Sequence, residues 1–185
     1  MTEQRKGEAE KNREILRRRA AAMAANVEAP RAAADRYLEF SLAGERYAVD
    51  LALVREVCSG RRITAIPGSP PFMAGVANIR GQLLPVADLA RLFGMSPQAA
   101  GEKIVVLRAA AARGGPAELG ILAETVLGVA DIPPGAIQPA PQGFSGIFGQ
   151  YLGGVTASGL IIFLADRFLG DEKIMRRQET EQGSY

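Results

Sequence analysis

Two stretches of this sequence share one grammar, and that repetition constrains the fold more than any other feature. Gly75-Val76, then Leu83-Leu84-Pro85-Val86-Ala87-Asp88, then Leu92-Phe93-Gly94 parallels Gly154-Val155, then Leu160-Ile161-Ile162-Phe163-Leu164-Ala165-Asp166, then Phe168-Leu169-Gly170. Each copy reads as a glycine-led strand, a turn, an apolar strand, and an Ala-Asp pair that opens a short helix. The interval from Gly-Val to Ala-Asp differs by one residue between the copies. Many short apolar strands set off by glycine turns predict small barrels or a sandwich. We read an all-β dominated body of two β-barrel-like subdomains related by internal duplication.

The rest of the chain fits this plan. Leu38, Phe40 and Leu42 alternate with Glu39 and Ser41, the mark of a half-buried strand, and Ala43-Gly44-Glu45 turns the chain into a second arm over 46–49. Residues 50–57 read as a short helical or irregular stretch and 63–66 as a short strand, before Pro67-Gly68-Ser69-Pro70-Pro71 breaks regular structure. Strands over 75–79 and 82–87 meet across Arg80-Gly81, and 88–93 reads as a short helix. Further on, 104–107 and 119–123 form strand arms around Gly114-Gly115-Pro116, and 126–129 continues them. Residues 132–142, with four prolines, read as irregular. The glycine-rich run 143–154 reads as a hairpin loop, and a C-terminal helix opens at Asp166 and runs to Ile174.

Charge separates the N-terminal segment from this body. Residues 1–36 hold nine Lys/Arg against six Asp/Glu, whereas 37–185 hold thirteen against fourteen. Leu16, Ala20, Met23 and Val27 fall on one helical face within an Ala- and Arg-rich segment, which predicts a helix ending before Pro30 and a linker over 28–36. Such a helix is either a solvated extension or one that docks, because isolated helices of this length are marginal in water. The predicted organisation is a basic helical extension and linker over 1–36, the β-rich body over 37–175 and a polar tail over 176–185.

Composition also narrows the chemistry. The chain contains no histidine, and this removes Ser-His-Asp and Cys-His catalysis, ordinary zinc sites and a phosphohistidine relay. Cys58 is the single cysteine, so no intramolecular disulfide forms and a reducing cytoplasm is the expected compartment. The first nineteen residues lack an apolar h-region, and the longest apolar run, 160–165, is one strand long, so neither a leader nor direct membrane insertion is expected. The glycine run lacks the Gly-Lys-Ser/Thr ending of a phosphate loop. A formal charge of +2, with no basic-aromatic cluster in the body, gives no footprint for nucleic acid. No cofactor or metal is expected. Catalysis would have to rely on carboxylates, Lys, Arg or Tyr, the alternative reading being a hydrolase on a β-barrel scaffold with paired carboxylates brought together by folding. Otherwise the chain works by binding other proteins.

The segment Ile66-Pro67 … Pro71-Phe72-Met73-Ala74-Gly75-Val76-Ala77-Asn78-Ile79-Arg80-Gly81-Gln82-Leu83-Leu84-Pro85-Val86-Ala87-Asp88-Leu89 resembles the signature of CheW-like domains. The likeness extends upstream to Phe40–Leu51 and Val54–Val57, and downstream to 119–122, 132–134 and 151–154. It departs from the usual pattern in Ile79, where leucine is customary, in residues 1–36, and in the alanine-rich stretch 109–113.

The resemblance implies two SH3-like five-stranded β-barrels and a non-catalytic adapter. Such an adapter couples the cytoplasmic tips of methyl-accepting chemoreceptors to the regulatory domain of a chemotaxis histidine kinase in membrane-associated arrays. A related chemosensory output, in pilus motility or second-messenger control, uses the same parts. The resemblance places the receptor tip, a helical hairpin, between the barrels, and it assigns coupling roles to Val54, Glu56 and Arg80. Val54 is equally readable as core, and Arg80 as a brace of its own turn rather than a contact. Asn78 is expected to bond backbone, Gly75 and Gly81 to serve turn geometry. Pro85 and Asp88 complete the structural motif.

Overall fold

The computed structural model describes residues 34–96, 103–110, 116–140, 146–171 and 174. The expected N-terminal helix and polar tail lie outside these residues, as does the centre of the Gly114-Gly115 loop.

Strand β1 (Asp35–Leu42) begins inside the expected linker and pairs antiparallel with β2 (Glu45–Asp50). Between them Ala43 and Gly44 both have positive φ, 52° and 78°, the signature of a two-residue type I′ turn. Residues 50–57 differ from expectation. A single 3-10 turn, Leu51–Leu53, is capped by Asp50, whose Oδ1 accepts the Ala52 N–H at 2.9 Å, and β3 (Val54–Ser59) follows. The polar Arg55-Glu56 pair hides the strand period because the chain bulges there.

The short β4 (Ile63–Thr64) leads to β5 (Met73–Ile79), β6 (Gln82–Ala87) and helix α1 (Leu89–Leu92). The second half runs β7 (Lys103–Ala110), β8 (Pro116–Ala123) and β9 (Thr125–Ile132), so 126–129 belongs to a full strand of its own. The proline-rich stretch holds a 3-10 turn at Pro134–Ala136 and β10 (Ile137–Gln138). The glycine-rich run contains a one-turn helix α2 (Ile147–Gln150), not a plain hairpin loop, before β11 (Leu152–Thr156) and β12 (Ile161–Phe163). Helix α3 spans Ala165–Gly170; Leu164 is its N-cap, Asp166 lies in its first turn, and extended Asp171 ends it short of Ile174.

The strands form two six-stranded sheets with the same plan. One runs β10-β11-β12-β2-β1-β9 and the other β4-β5-β6-β8-β7-β3. In each, one pair is parallel: β12 with β2, and β6 with β8. The two sheets therefore repeat one plan, with their halves interleaved along the chain. Hairpin β1-β2 completes the sheet of β9–β12, and hairpin β7-β8 completes the sheet of β3–β6.

The alternation of side chains builds three cores. Val105 and Leu107 of β7 join Phe40, Tyr47, Val49 and Phe163 of the other sheet, with Leu89 and Phe168 from the helices, in one large cluster shared by both sheets. Ile104 and Val106 point the other way, into a second cluster with Cys58, Ile79, Leu84 and Val86. Ala48, Ile132, Leu160 and Ile162 form its counterpart in the first sheet. Each fully buried large apolar side chain contributes roughly 1.5–3 kcal/mol. The shared cluster is thus what makes the two sheets one body.

Candidate functional site

The expected coupling residues come from two elements of the second sheet. Hairpin β5-β6 closes through Arg80 and Gly81, with φ of 52° and 85°, a second type I′ turn. Asn78 closes it further: its Oδ1 accepts the Gly81 N–H at 2.8 Å, the backbone-bonding role expected of it. A side chain at positive φ costs about 1–2 kcal/mol in an L-residue, so arginine is an unfavourable choice for that position on backbone grounds. Its side chain is 72% exposed, and Nε donates to Glu56 Oε2 at 2.8 Å. Arg80 therefore both braces its turn and leaves most of its guanidinium open to solvent.

Glu56 lies on β3 directly after the bulge and is only 15% exposed. Its Oε1 meets Arg55 Nε at 3.5 Å, and the buried Cys58 thiol donates to Oε2 at 3.6 Å. The Arg80 hydrogen bond, before any other cause, holds the Glu56 carboxyl below its ordinary range against the opposing effect of desolvation; the charges of Arg80 and Arg55 and the thiol add to it. Burial, followed by the neighbouring Glu56 charge, pushes the Cys58 thiol up, away from the thiolate that nucleophilic chemistry needs. Val54 is half-buried and packs on the shared core, so its first role is in packing.

The motif positions divide by task. Gly81 serves the turn, as expected. Gly75 does not: it sits inside β5 at a bulge, with φ 137°, where a Cβ would collide with the Thr64 backbone carbonyl of β4. Pro85 lies opposite Val76 and ends the stretch of β6 before its parallel pairing with β8 begins at Val86. Asp88 is the one buried charged or polar residue among those described; its Oδ1 caps α1 through the Arg91 N–H at 3.1 Å while Oδ2 pairs with Arg91 Nε at 3.1 Å.

A family model for the CheW-like domain matches residues 36–169, nearly the whole described body. The chain belongs to this family. The chemotaxis protein CheW of Klebsiella aerogenes is 30% identical over 141 residues, covering 75% of this chain and 83% of that protein. The protein FrzA of Myxococcus xanthus is 34% identical over 120 residues, covering 65% of this chain and 73% of its own. Among solved structures, the scaffolding protein TtCheW of Thermoanaerobacter tengcongensis matches with a TM-score of 0.60 at 28% identity, over 70% of this chain and 88% of that one.

Within the CheW-like body, four polar residues join the site that the sequence did not single out. Arg55 Nη1 donates to Glu118 Oε2 at 2.6 Å and to Gln82 Oε1 at 3.0 Å, and Arg108 Nε lies 3.5 Å from Glu118 Oε1. Arg108 and Glu118 flank the apolar runs of β7 and β8, and only their pairing across the ladder, with that of β3 and β7, brings them to Glu56.

Proposed function

We propose that this chain is a chemosensory coupling protein: a non-catalytic adapter that holds a receptor and a kinase in fixed geometry. The observation that carries the reading is the family match over 36–169 together with the Arg80–Glu56 pair at its signature turn. The partners it implies are the cytoplasmic tip of a methyl-accepting chemoreceptor and the regulatory domain of a chemotaxis histidine kinase. The protein then works in the cytoplasm, recruited to membrane-associated arrays. No helix among the described residues is long and apolar enough to cross a membrane. A guanidinium at a rigid turn offers a planar fork to partner carboxylates or carbonyls. Chemistry by paired carboxylates receives no support from the site, since Glu56 is held ionised by arginines and its carboxyl shifts down, not up.

The test is a pull-down with two baits, a receptor-tip fragment and a kinase regulatory domain, using the full chain. Both baits retain it, and Arg80→Glu weakens coupling of kinase to receptor without loss of fold. Failure to bind either bait overturns the reading; normal receptor-stimulated kinase output in Arg80→Glu removes Arg80 from it. The likeness to FrzA is also consistent with a second reading in which the adapter serves another chemosensory output. Baits drawn from each pathway separate the two.

A further inference from the structure

Five side chains from three strands and a turn form one chain of alternating charge across the second sheet. Arg80 binds Glu56 Oε2, Arg55 binds Glu56 Oε1, Arg55 binds Glu118 Oε2, and Arg108 binds Glu118 Oε1. Each carboxylate thus spends one oxygen on each of two arginines, and Gln82 at the start of β6 fixes Arg55 a third way. The interior of the chain is half-buried, while its ends, Arg80 and Arg108, are 72% and 56% exposed. An isolated surface ion pair contributes little, but a network of several charges with shared partners restricts every member.

We propose that Arg55 and Glu118 are positioning residues for partner binding: they fix Glu56, and through it the guanidinium of Arg80, while Arg108 stands as a second exposed guanidinium on the same surface. The partner segment this fits carries carboxylates, because three arginines meet only two glutamates and both open ends are cationic. This rests on the reading of Arg80 as a coupling residue and extends it to residues outside the signature segment.

Glu118 tests it best, since it does not touch Arg80 and sits on a different strand. The full-length protein, its Glu118→Gln and Arg80→Ala variants and the double variant are titrated with a receptor-tip fragment and with a kinase regulatory domain, and thermal melting is followed in parallel. For at least one bait Glu118→Gln weakens binding by about twofold to fivefold, the size of the loss of one partly exposed ion pair. It melts near the wild type, and its loss largely disappears when Arg80 is already alanine. Arg108→Ala weakens binding to the same bait and flattens its salt dependence. Glu118→Gln binding as wild type, or adding its full loss on top of Arg80→Ala, overturns the positioning role while leaving Arg80 in place. Arg80→Ala binding both baits normally overturns the coupling reading itself.

Discussion

The two outer strands β3 and β9 occupy the same place in the two sheets, yet they are chemically opposite. Each bulges at the same step. On β3, Val54 faces Leu107 and Glu56 faces Val106, with Arg55 extra; on β9, Val126 faces Phe40 and Gly128 faces Glu39, with Leu127 extra. The extra residue is therefore arginine in one copy and leucine in the other, and the next is Glu56 against Gly128. On β3 the bulge anchors the ion chain that reaches Arg80. On β9 it leaves Leu127 and Val129 51% and 48% exposed. A repeated backbone plan thus supplies two edges of one shape, and a difference at two positions makes one cationic and hydrogen-bonded and the other apolar. Specificity is a difference in affinities, and two unlike edges on one scaffold allow it where two like edges would not.

The deepest likeness between the sheets is the place to try to break that comparison. Gly75 faces Val86 and Gly154 faces Ile162, both at bulges, with φ of 137° and 143°. A Cβ at Gly75 would overlap the Thr64 carbonyl oxygen, and one at Gly154 the Gln138 carbonyl oxygen. Backbone cannot yield as a side-chain end can, so Gly75→Ala and Gly154→Ala are each expected to cost about 3 kcal/mol or more. Denaturant unfolding midpoints check this, and a large loss at only one of them would show that the bulges are not equivalent.

A smaller effect is expected where the copies differ by one methyl. At the parallel pairing, Val86 faces Gly120 and Ile162 faces Ala48. Ala48 is fully buried, whereas a Cβ on Gly120 would lie 2.7 Å from Ile104 Cγ2. Gly120→Ala should destabilise by about 1–3 kcal/mol through overpacking, again read from unfolding midpoints. A neutral result would mean that the second sheet has the slack of the first.

Next comes the helix that follows each apolar strand. Asp88 caps α1 with its carboxylate, while Leu164, at the same offset from the parallel strand, gives α3 no side-chain cap. Asp88→Ala is expected to cost about 1–2 kcal/mol and Asp88→Asn less, measured by thermal melting. Equal losses in the two variants would assign the effect to the Arg91 ion pair instead of the cap.

These positions also show what the sequence could and could not reveal. The β1-β2 hairpin was legible because Leu38, Phe40 and Leu42 alternate cleanly, and Arg80-Gly81 because a turn separates two apolar runs. The repeat was legible too, but its alignment was not. Matching Ala87-Asp88 to Ala165-Asp166 is displaced by two residues from the equivalence fixed by Gly75–Val86 and Gly154–Ile162. A two-residue slip keeps every side chain on its face, so a period-2 pattern cannot register it. Strand β3 was hidden because its bulge breaks alternation. The interleaving of the halves and the link from Arg55 to Glu118 were hidden because both depend on which strands pair, a tertiary fact with no local signal.

The smallest effect on stability is expected at Arg80, the residue proposed to couple the partners. Ala43 and Arg80 hold the same φ of 52° in their two type I′ turns, but only Arg80 reaches a partner with its side chain. Arg80→Gly would relieve about 1–2 kcal/mol of left-handed strain, less about 0.5–1 kcal/mol for the greater freedom of glycine in the unfolded chain. It would lose an ion pair with an exposed member, which contributes little in water. The two nearly cancel, so stability at neutral pH should stay within about 0.5 kcal/mol of wild type, while partner binding falls. The acid limb distinguishes cancellation from indifference. Because the folded Glu56 carboxyl is held below its ordinary value, its contribution is present above that value and is lost as pH falls through the folded pKa. Removing Arg80 removes the largest cause of the depression, so the variant should lose less stability than wild type between neutral and acid pH. Unfolding midpoints measured across that range check it, and parallel acid limbs for the two proteins would show that Arg80 does not hold Glu56 in solution.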